Sequence, residues 1–113
     1  MEIQFRKDQE SGWLVVLPEG RLDLTTATEF EDRSTAWIVE GYEELLLDFS
    51  ALEFVASAGI RAILTLAKKL KSSSGTLALC GLKGVVQEAI KISAIHTIIP
   101  IYENLEAARK AQQ

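Results

Sequence analysis

The sequence predicts an α/β fold with a mostly parallel sheet. From residue 26 onward, short apolar runs alternate with amphipathic stretches of helical length, which is the pattern of strand–helix–strand crossovers. The run at residues 45–49 is apolar on both faces, as expected of a central strand covered on each side. The chain has 113 residues, of which 48% are hydrophobic and 25% are charged. These values predict one ordinary globular domain.

Two short apolar runs open the chain, at residues 3–7 and 13–17. A polar turn containing a glycine separates them, so we expect a hairpin or two neighbouring strands. The first helix is predicted to follow Thr26, because Thr26 and Glu29 have the spacing of a capping box. Gly41 provides the helix stop. The inward positions recur at helical spacing and are Ala27, Phe30, Ser34, Trp37 and Ile38.

The central strand is followed by a predicted helix over residues 58–71. Its charged and polar residues fall on one side, and its apolar residues recur at helical spacing on the other. These apolar residues are Ile60, Ile63, Leu64, Ala67 and Leu70. A Ser-Ser-Ser-Gly turn then leads into another apolar strand, predicted over Thr76–Cys80.

The last third of the chain predicts two helices around one extended segment. The first covers residues 85–92, with Val85, Val86, Ala89 and Ile92 as its inward residues. Residues 98–102 form a short strand or extended segment. Asn104 then caps a C-terminal helix predicted over residues 105–111. The complete predicted order is β-β-α-β-α-β-α-β-α.

Composition excludes several classes of function. The net charge is −4 and the pI is near 5.0, without a basic patch, which argues against direct binding of nucleic acid. The single cysteine, Cys80, allows neither an internal disulfide nor a thiolate zinc site, and we expect it to be an inert buried thiol. No signal peptide or membrane-spanning segment is recognisable. We therefore expect a soluble, cytoplasmic and monomeric protein.

The side chains that enzymes use are sparse in this sequence. His96 is the only histidine and lies between apolar stretches, which is typical of a packing or surface residue. Ser57 lacks the G-x-S-x-G setting of a hydrolase nucleophile, and no glycine-rich phosphate loop follows a strand. Asp23, Asp48 and Glu53 are too scattered to indicate a metal site. We expect no enzymatic activity and no cofactor.

Ser57 lies at the junction between the central strand region and the second helix. The start of a helix favours negative charge, because its backbone N–H groups lack partners and its dipole is positive there. Ser57 is therefore a candidate helix cap, nucleophile or phosphorylation site. The small residues around it, Ala56, Ala58 and Gly59, leave the hydroxyl open to another protein, which a cap alone would not require.

Asp23 is the second polar residue that needs an explanation. It follows Gly20-Arg21-Leu22 and lies just ahead of the predicted first helix. A carboxylate at that place caps a helix well, so a purely structural role competes with a role in binding.

Four segments together resemble a known family, the STAS domain. They are GRLDLTTA at residues 20–27, LDFS at 47–50, FVASAGIR at 54–61 and the ending around IIPIY at 98–102. The resemblance runs in order over nearly the whole chain, as a single STAS domain at residues 1–113. It implies the STAS fold, a mixed, mostly parallel sheet with about four helices packed on it.

Among STAS domains, the chain most resembles the bacterial anti-sigma factor antagonists. The resemblance implies that the unphosphorylated protein binds an anti-sigma factor, itself a serine kinase, and so frees a sigma factor. The kinase inactivates the antagonist by phosphorylating a serine, here Ser57, and a metal-dependent serine phosphatase reverses this. On this match the partner surface contains Asp23, Thr25, Thr26, Ala56, Ser57, Ala58, Gly59 and Arg61.

One departure from the family pattern keeps an alternative open. The commoner motif has an acidic residue where this chain has Ala56. The alternative function is a STAS scaffold, or a soluble subunit of a transport system, without phosphorylation.

Asp48 matches an acidic or amide position at the end of the family's central strand.

Overall fold

The computed structural model describes residues 1–112, in which the predicted strands and helices are present together with two short strands, at residues 20–22 and 52–55, that the predicted order lacks. The strands are β1 Ile3–Lys7, β2 Leu14–Pro18, β3 Gly20–Leu22, β4 Glu44–Asp48, β5 Leu52–Val55, β6 Thr76–Cys80 and β7 Ile101–Tyr102. The helices are α1 Ala27–Glu40, α2 Ser57–Ser72, α3 Gly84–Ser93 and α4 Leu105–Ala111. A single 3₁₀ turn, Ile95–Thr97, lies between α3 and β7.

Two sheets organise the strands. The larger has the order β1-β2-β4-β6-β7, and the smaller consists of β3 and β5. Only β1 and β2 pair antiparallel, with Ile3 opposite Pro18 and Lys7 opposite Leu14; the other pairs in both sheets are parallel. The predicted neighbouring first strands and the mixed, mostly parallel sheet with four helices are therefore confirmed.

The central strand β4 is covered on both faces, as its apolar run predicted. Leu45 and Leu47 belong to the main core cluster, in which α1, α2 and α3 pack on one face of the sheet. Leu46 points to the opposite face, into a smaller cluster with Trp13 under α4. All three leucines are fully buried. The doubly covered strand follows from the alternation of side chains along a strand.

The start of α1 differs from the predicted capping box. Thr26 is the N-cap residue, but its side chain makes no capping hydrogen bond. Its hydroxyl instead donates to the Arg21 carbonyl at 2.8 Å and accepts from the Asp23 N–H at 2.9 Å. Glu29 accepts from the N-terminal amine at 3.0 Å. The helix stop is as predicted, because Gly41 has the left-handed φ of 112°.

The buried face of α2 is rotated slightly from the predicted one. The helix begins at Ser57, and its buried residues are Gly59, Ala62, Ile63, Leu66 and Leu70. The predicted inward residues Ile60, Leu64 and Ala67 are only half-buried. They pack against the edge of the main core cluster.

The predicted buried face of α3 is partly wrong. Val86 and Ile90 are buried, but Val85 is 61% exposed and Ile92 is 84% exposed. The helix packs mainly beside the short strand β5 at the border of the fold, so a narrow stripe of two residues is enough to attach it. The exposed pair is therefore available for other contacts.

The C-terminal helix α4 has its predicted cap and is held to the rest of the fold by hydrogen bonds. The Asn104 carboxamide oxygen accepts from the Ala107 N–H at 2.9 Å, which confirms the cap. The Trp13 indole donates to the Ala108 carbonyl at 3.1 Å. Arg109 donates two hydrogen bonds to the buried carboxylate of Asp8, at 3.0 and 2.8 Å. Across residues 1–112, no helix is long and apolar enough to cross a membrane.

Candidate functional site

The small sheet places two separate loops side by side. Its strands β3 and β5 are parallel, with Arg21 opposite Phe54 and Leu22 opposite Val55. Since parallel strands end at the same edge, the loop after β3 and the start of α2 after β5 become neighbours. The Ala56 N–H donates to the Leu22 carbonyl at 2.9 Å and fixes this arrangement.

The loop between β3 and α1 is organised by the Asp23 carboxylate. Its Oδ1 accepts from the Thr25 N–H at 3.0 Å and from the Thr25 hydroxyl at 2.8 Å, forming an Asx turn. These hydrogen bonds hold the pKa of Asp23 below its usual range, and Arg21, at 3.5 Å, adds to the effect. Asp23 therefore shapes the loop and does not cap α1, whose N-cap is Thr26.

Ser57 is the first residue of α2, and Ala56 occupies the N-cap position. The interpretation of Ser57 as a helix cap is therefore wrong. Its side chain is exposed and makes no hydrogen bond to any of residues 1–112. The cap position bears only a methyl group, and the first turn contains no acidic residue. The N-cap and first turn of α2 thus provide no negative charge at the positive end of the helix dipole.

Gly59 is buried in the first turn of α2. A Cβ built on it would lie 2.8 Å from Leu22 Cγ, 2.9 Å from the Leu22 carbonyl oxygen and 2.9 Å from Val55 Cγ2. The first turn of α2 can approach β3 this closely only with glycine at this position. Gly59 therefore fixes the position of the first turn of α2 and, with it, of Ser57.

Two arginines flank the site. The Arg21 guanidinium lies over the Phe54 ring, 4.2 Å from its centroid, a cation–π contact between neighbouring strands. Arg61 lies one turn beyond Ser57 on α2, is exposed, and makes no ion pair within residues 1–112. The site thus combines one organised carboxylate, two guanidinium groups and a free hydroxyl.

An open apolar groove adjoins Ser57, between α2 and α3. Its volume is about 410 Å³. The walls are formed by Val55, Ala56, Ser57, Ile60, Arg61, Ala89, Ile92 and Ser93. Ile92 was predicted to be buried, and this prediction is wrong because Ile92 lies in the wall of the groove. The apolar pattern of α3 could not reveal this, because the same pattern describes a buried face and a face beside an open groove.

The other side chains with reactive groups are Cys80, His96 and the possible metal ligands. Cys80 is fully buried, and burial raises the pKa of its thiol to about 12, with a contribution from the Asp48 charge. This confirms that Cys80 is a buried thiol, as expected. His96 lies exposed on the 3₁₀ turn. No group of three or more His, Cys, Asp or Glu side chains in the described part of the chain could hold a metal ion.

The family model of the STAS domain matches residues 4–108. The chain therefore belongs to the STAS domain family, as the resemblance of its motifs predicted.

Two relatives are named as antagonists. The chain is 34% identical over 104 residues to the protein named "Putative anti-sigma factor antagonist BtrV" of Bordetella bronchiseptica, covering 92% of this chain and 90% of that protein. It is 28% identical over 105 residues to the anti-sigma F factor antagonist of Paenibacillus polymyxa, with the same shares of each chain.

Solved structures show the same fold at lower identity. Protein TM1081 of Thermotoga maritima superposes with a TM-score of 0.90 at 20% identity, covering 97% of this chain and 93% of that one. The unphosphorylated anti-sigma factor antagonist SpoIIAA gives 0.80 at 18% identity, covering 97% and 96%. The phosphorylated Bacillus protein SpoIIAA gives 0.72 at 17% identity, covering 97% and 99%.

Proposed function

We propose that this chain is an anti-sigma factor antagonist that binds an anti-sigma factor kinase through the surface around Ser57. The single observation that carries the proposal is the exposed, unbonded hydroxyl of Ser57 at the uncapped start of α2, beside an open apolar groove. The names of the two relatives support the class of partner. In this proposal the kinase phosphorylates Ser57, binding is lost, and a serine phosphatase restores it.

The start of α2 accepts a phosphate without refolding. The first hydrogen bond of the helix runs from the Ile60 N–H to the Ala56 carbonyl, so the N–H groups before Ile60 have no acceptor within the helix. Phosphorylation adds about −1.5 to −2 charges at pH 7, at an end of the helix that favours them. We therefore expect the phosphorylated domain to keep its fold.

The same charge is costly inside a complex. A phosphate at Ser57 would have to lose its water where a partner packs against the neighbouring groove, whose walls are mostly apolar. A penalty of about 3 kcal/mol weakens binding more than a hundredfold, since every 1.4 kcal/mol is a factor of ten. The switch therefore needs only a local change of charge.

The predicted partner residues divide into two groups by their placement. Asp23, Thr25, Ala56, Ala58 and Arg61 reach the surface fully or in part and are proposed to contact the partner. Thr26 is half-buried like Asp23, but its hydroxyl is used to fix the loop, and Gly59 is buried where it fixes the helix start. The groove beside Ser57 adds Ile92 to the proposed contact surface. The protein would act as a monomer in the cytoplasm.

The test compares wild type with Ser57→Ala and Ser57→Asp as baits in a lysate of the source organism. Retained proteins are identified by mass spectrometry. We expect wild type and Ser57→Ala to retain a small ATP-binding kinase, and Ser57→Asp to lose it. With the purified kinase and Mg-ATP, phosphorylation should map to Ser57 by peptide mass spectrometry and be absent from Ser57→Ala.

Ser72→Asp serves as the matched control, because Ser72 is exposed at the opposite end of the same helix. It should bind the kinase as wild type does. Circular dichroism must show that Ser57→Asp is folded. Equal kinase binding by wild type and a folded Ser57→Asp would exclude the switch.

The alternative is a STAS scaffold or transport subunit without phosphorylation. The observation that favours it is Ala56, which leaves no carboxylate beside the Ser57 hydroxyl. It predicts that wild type, Ser57→Ala and Ser57→Asp all retain one common partner, and that this partner is not a kinase.

A further inference from the structure

A second groove lies away from Ser57, at the other end of α2. It runs between the C-terminal half of α2, the start of β6 and the segment leading to β7, with a volume of about 440 Å³. Lys68 is eleven residues beyond Ser57, or about 16 Å along the helix axis at 1.5 Å per residue. Neither the Ser57 hydroxyl nor the α2–α3 groove forms part of it.

The walls of this second groove are mainly apolar. Leu64 and Ala67 on α2 are half-buried, and Leu77 of β6 is buried beside them. Ile98, on the opposite wall, is 67% exposed, although its neighbour Ile99 is buried. The predicted strand at residues 98–102 is reduced to Ile101–Tyr102, and Ile98 instead ends the preceding 3₁₀ turn.

Two unpaired cations lie at the rim of the second groove. Lys68 and Lys71 both line it, three residues apart on α2, where side chains are neighbours. Within residues 1–112 neither lysine forms an ion pair. Two neighbouring like charges repel each other, and an anion bound between them would remove that repulsion.

We propose that the second groove binds a small amphipathic anion, an alkyl carboxylate whose chain lies against Leu64, Ala67 and Ile98 and whose headgroup contacts Lys68 and Lys71. The volume is within the range of small-molecule sites, about 300–1,000 Å³. The charge on the rim selects an anion, and the apolar walls select a chain. This proposal is independent of the function assigned to Ser57.

The test is an NMR titration of the ¹⁵N-labelled protein with sodium decanoate, kept below its micelle concentration. We expect saturable shifts at the amides of residues 64–71 and 98–100, and none from sodium acetate, which lacks the chain. Decanol, which lacks the charge, should bind more weakly. Lys68→Glu/Lys71→Glu should weaken decanoate binding by about tenfold or more, because two attractive charges become repulsive.

Lys69→Glu is the matched control, since Lys69 lies on the same helix and points away to donate to the Thr35 hydroxyl at 3.0 Å. It makes the same change of charge as either single substitution of the double variant, and it should leave decanoate binding unchanged. A second variant, Ala67→Trp, should fill the groove and also reduce binding. Three results would overturn the proposal: no saturable shifts, equal weakening by Lys69→Glu, or binding only to anionic phospholipid vesicles.

Discussion

At the scale of single residues, the start of α2 depends on two small residues with different effects. Ala56 stands at the N-cap and provides no acceptor for the free N–H groups of the first turn. Gly59 allows that turn to lie against Leu22 at distances that exclude a Cβ. Ala56 therefore leaves the start of the helix without a stabilising cap, whereas Gly59 is required for the packing that fixes Ser57.

Ala56→Asp is expected to stabilise the fold by about 1 kcal/mol, because a carboxylate at the N-cap satisfies free N–H groups and opposes the helix dipole. Urea unfolding at pH 7 measures the change. Ala56→Asn provides a neutral cap of similar size, and the difference between the two variants isolates the charge. No gain from either variant would contradict the geometry of an uncapped helix.

Gly59→Ala is expected to destabilise the protein by about 1–3 kcal/mol, the usual cost of overpacking. In an open helix the same change would stabilise by up to about 1 kcal/mol, so the sign separates packing from helix propensity. Chemical denaturation provides the measurement. Ala58→Gly, at the neighbouring position, tests propensity without the close contact. A stabilised Gly59→Ala variant would show that β3 and α2 are not in close contact.

At the scale of elements, α4 is the only helix among residues 1–112 that packs on the second face of the large sheet. It covers Trp13 and Leu46, and its main polar contact is the ion pair between Arg109 and the buried Asp8. Hydrogen bonds from Arg109, with a further one from Ser11, lower the pKa of Asp8 from 3.8 to about 2. The attachment of α4 is therefore sensitive to acid.

The interactions of the Asp8 carboxylate, the largest of which is with Arg109, should together contribute about 2 kcal/mol at neutral pH, given the lowered pKa of Asp8. A lowered carboxyl pKa stabilises the fold above the unfolded value of 3.8, and this contribution disappears as the pH falls toward 2. Arg109→Met should remove most of it at pH 7 and reduce the pH dependence between pH 5 and 2. Urea unfolding across that range measures both effects.

Arg33→Met is the control for the loss of an arginine. Its ion pair with Glu29 is more exposed and 3.9 Å long, so we expect less than about 1 kcal/mol of change and an unaltered slope with pH. If Arg109→Met and Arg33→Met behave alike, the attachment of α4 does not depend on Asp8.

At the scale of the whole molecule, the two apolar clusters share the strands between them. Along β4, Leu45 and Leu47 point to the larger cluster and Leu46 to the smaller one. Disordering either cluster removes one cover of the same strand. We therefore expect the clusters to unfold together.

Single-tryptophan variants test this cooperativity, because Trp13 lies in the smaller cluster and Trp37 in the larger. In Trp37→Phe and in Trp13→Phe, the remaining fluorescence transition should coincide with the far-UV circular dichroism transition at pH 7. An earlier fluorescence transition in Trp37→Phe, where Trp13 is the probe, would show that α4 separates before the rest unfolds.

The placement of the candidate site was only partly predictable from local pattern. Its residues follow from the sequence motifs around Asp23 and Ser57, but β3 and β5, which join the two loops, contain three and four residues. Strands this short carry no readable alternation. The exposure of Ile92 was equally hidden, since the same apolar pattern describes a buried face and a face beside an open groove.

The sequence by itself determined the family, through the resemblance of its motifs. It also determined the order of the longer elements and the doubly covered central strand, because hydrophobic periodicity and turn residues act locally. Only the tertiary structure decided that Ala56 is the N-cap and that Ser57 is left free. It also decided that Thr26 secures the Asp23 loop and not a capping box. These features depend on how β3, β5 and α2 meet, and contacts between residues distant in sequence leave no local pattern.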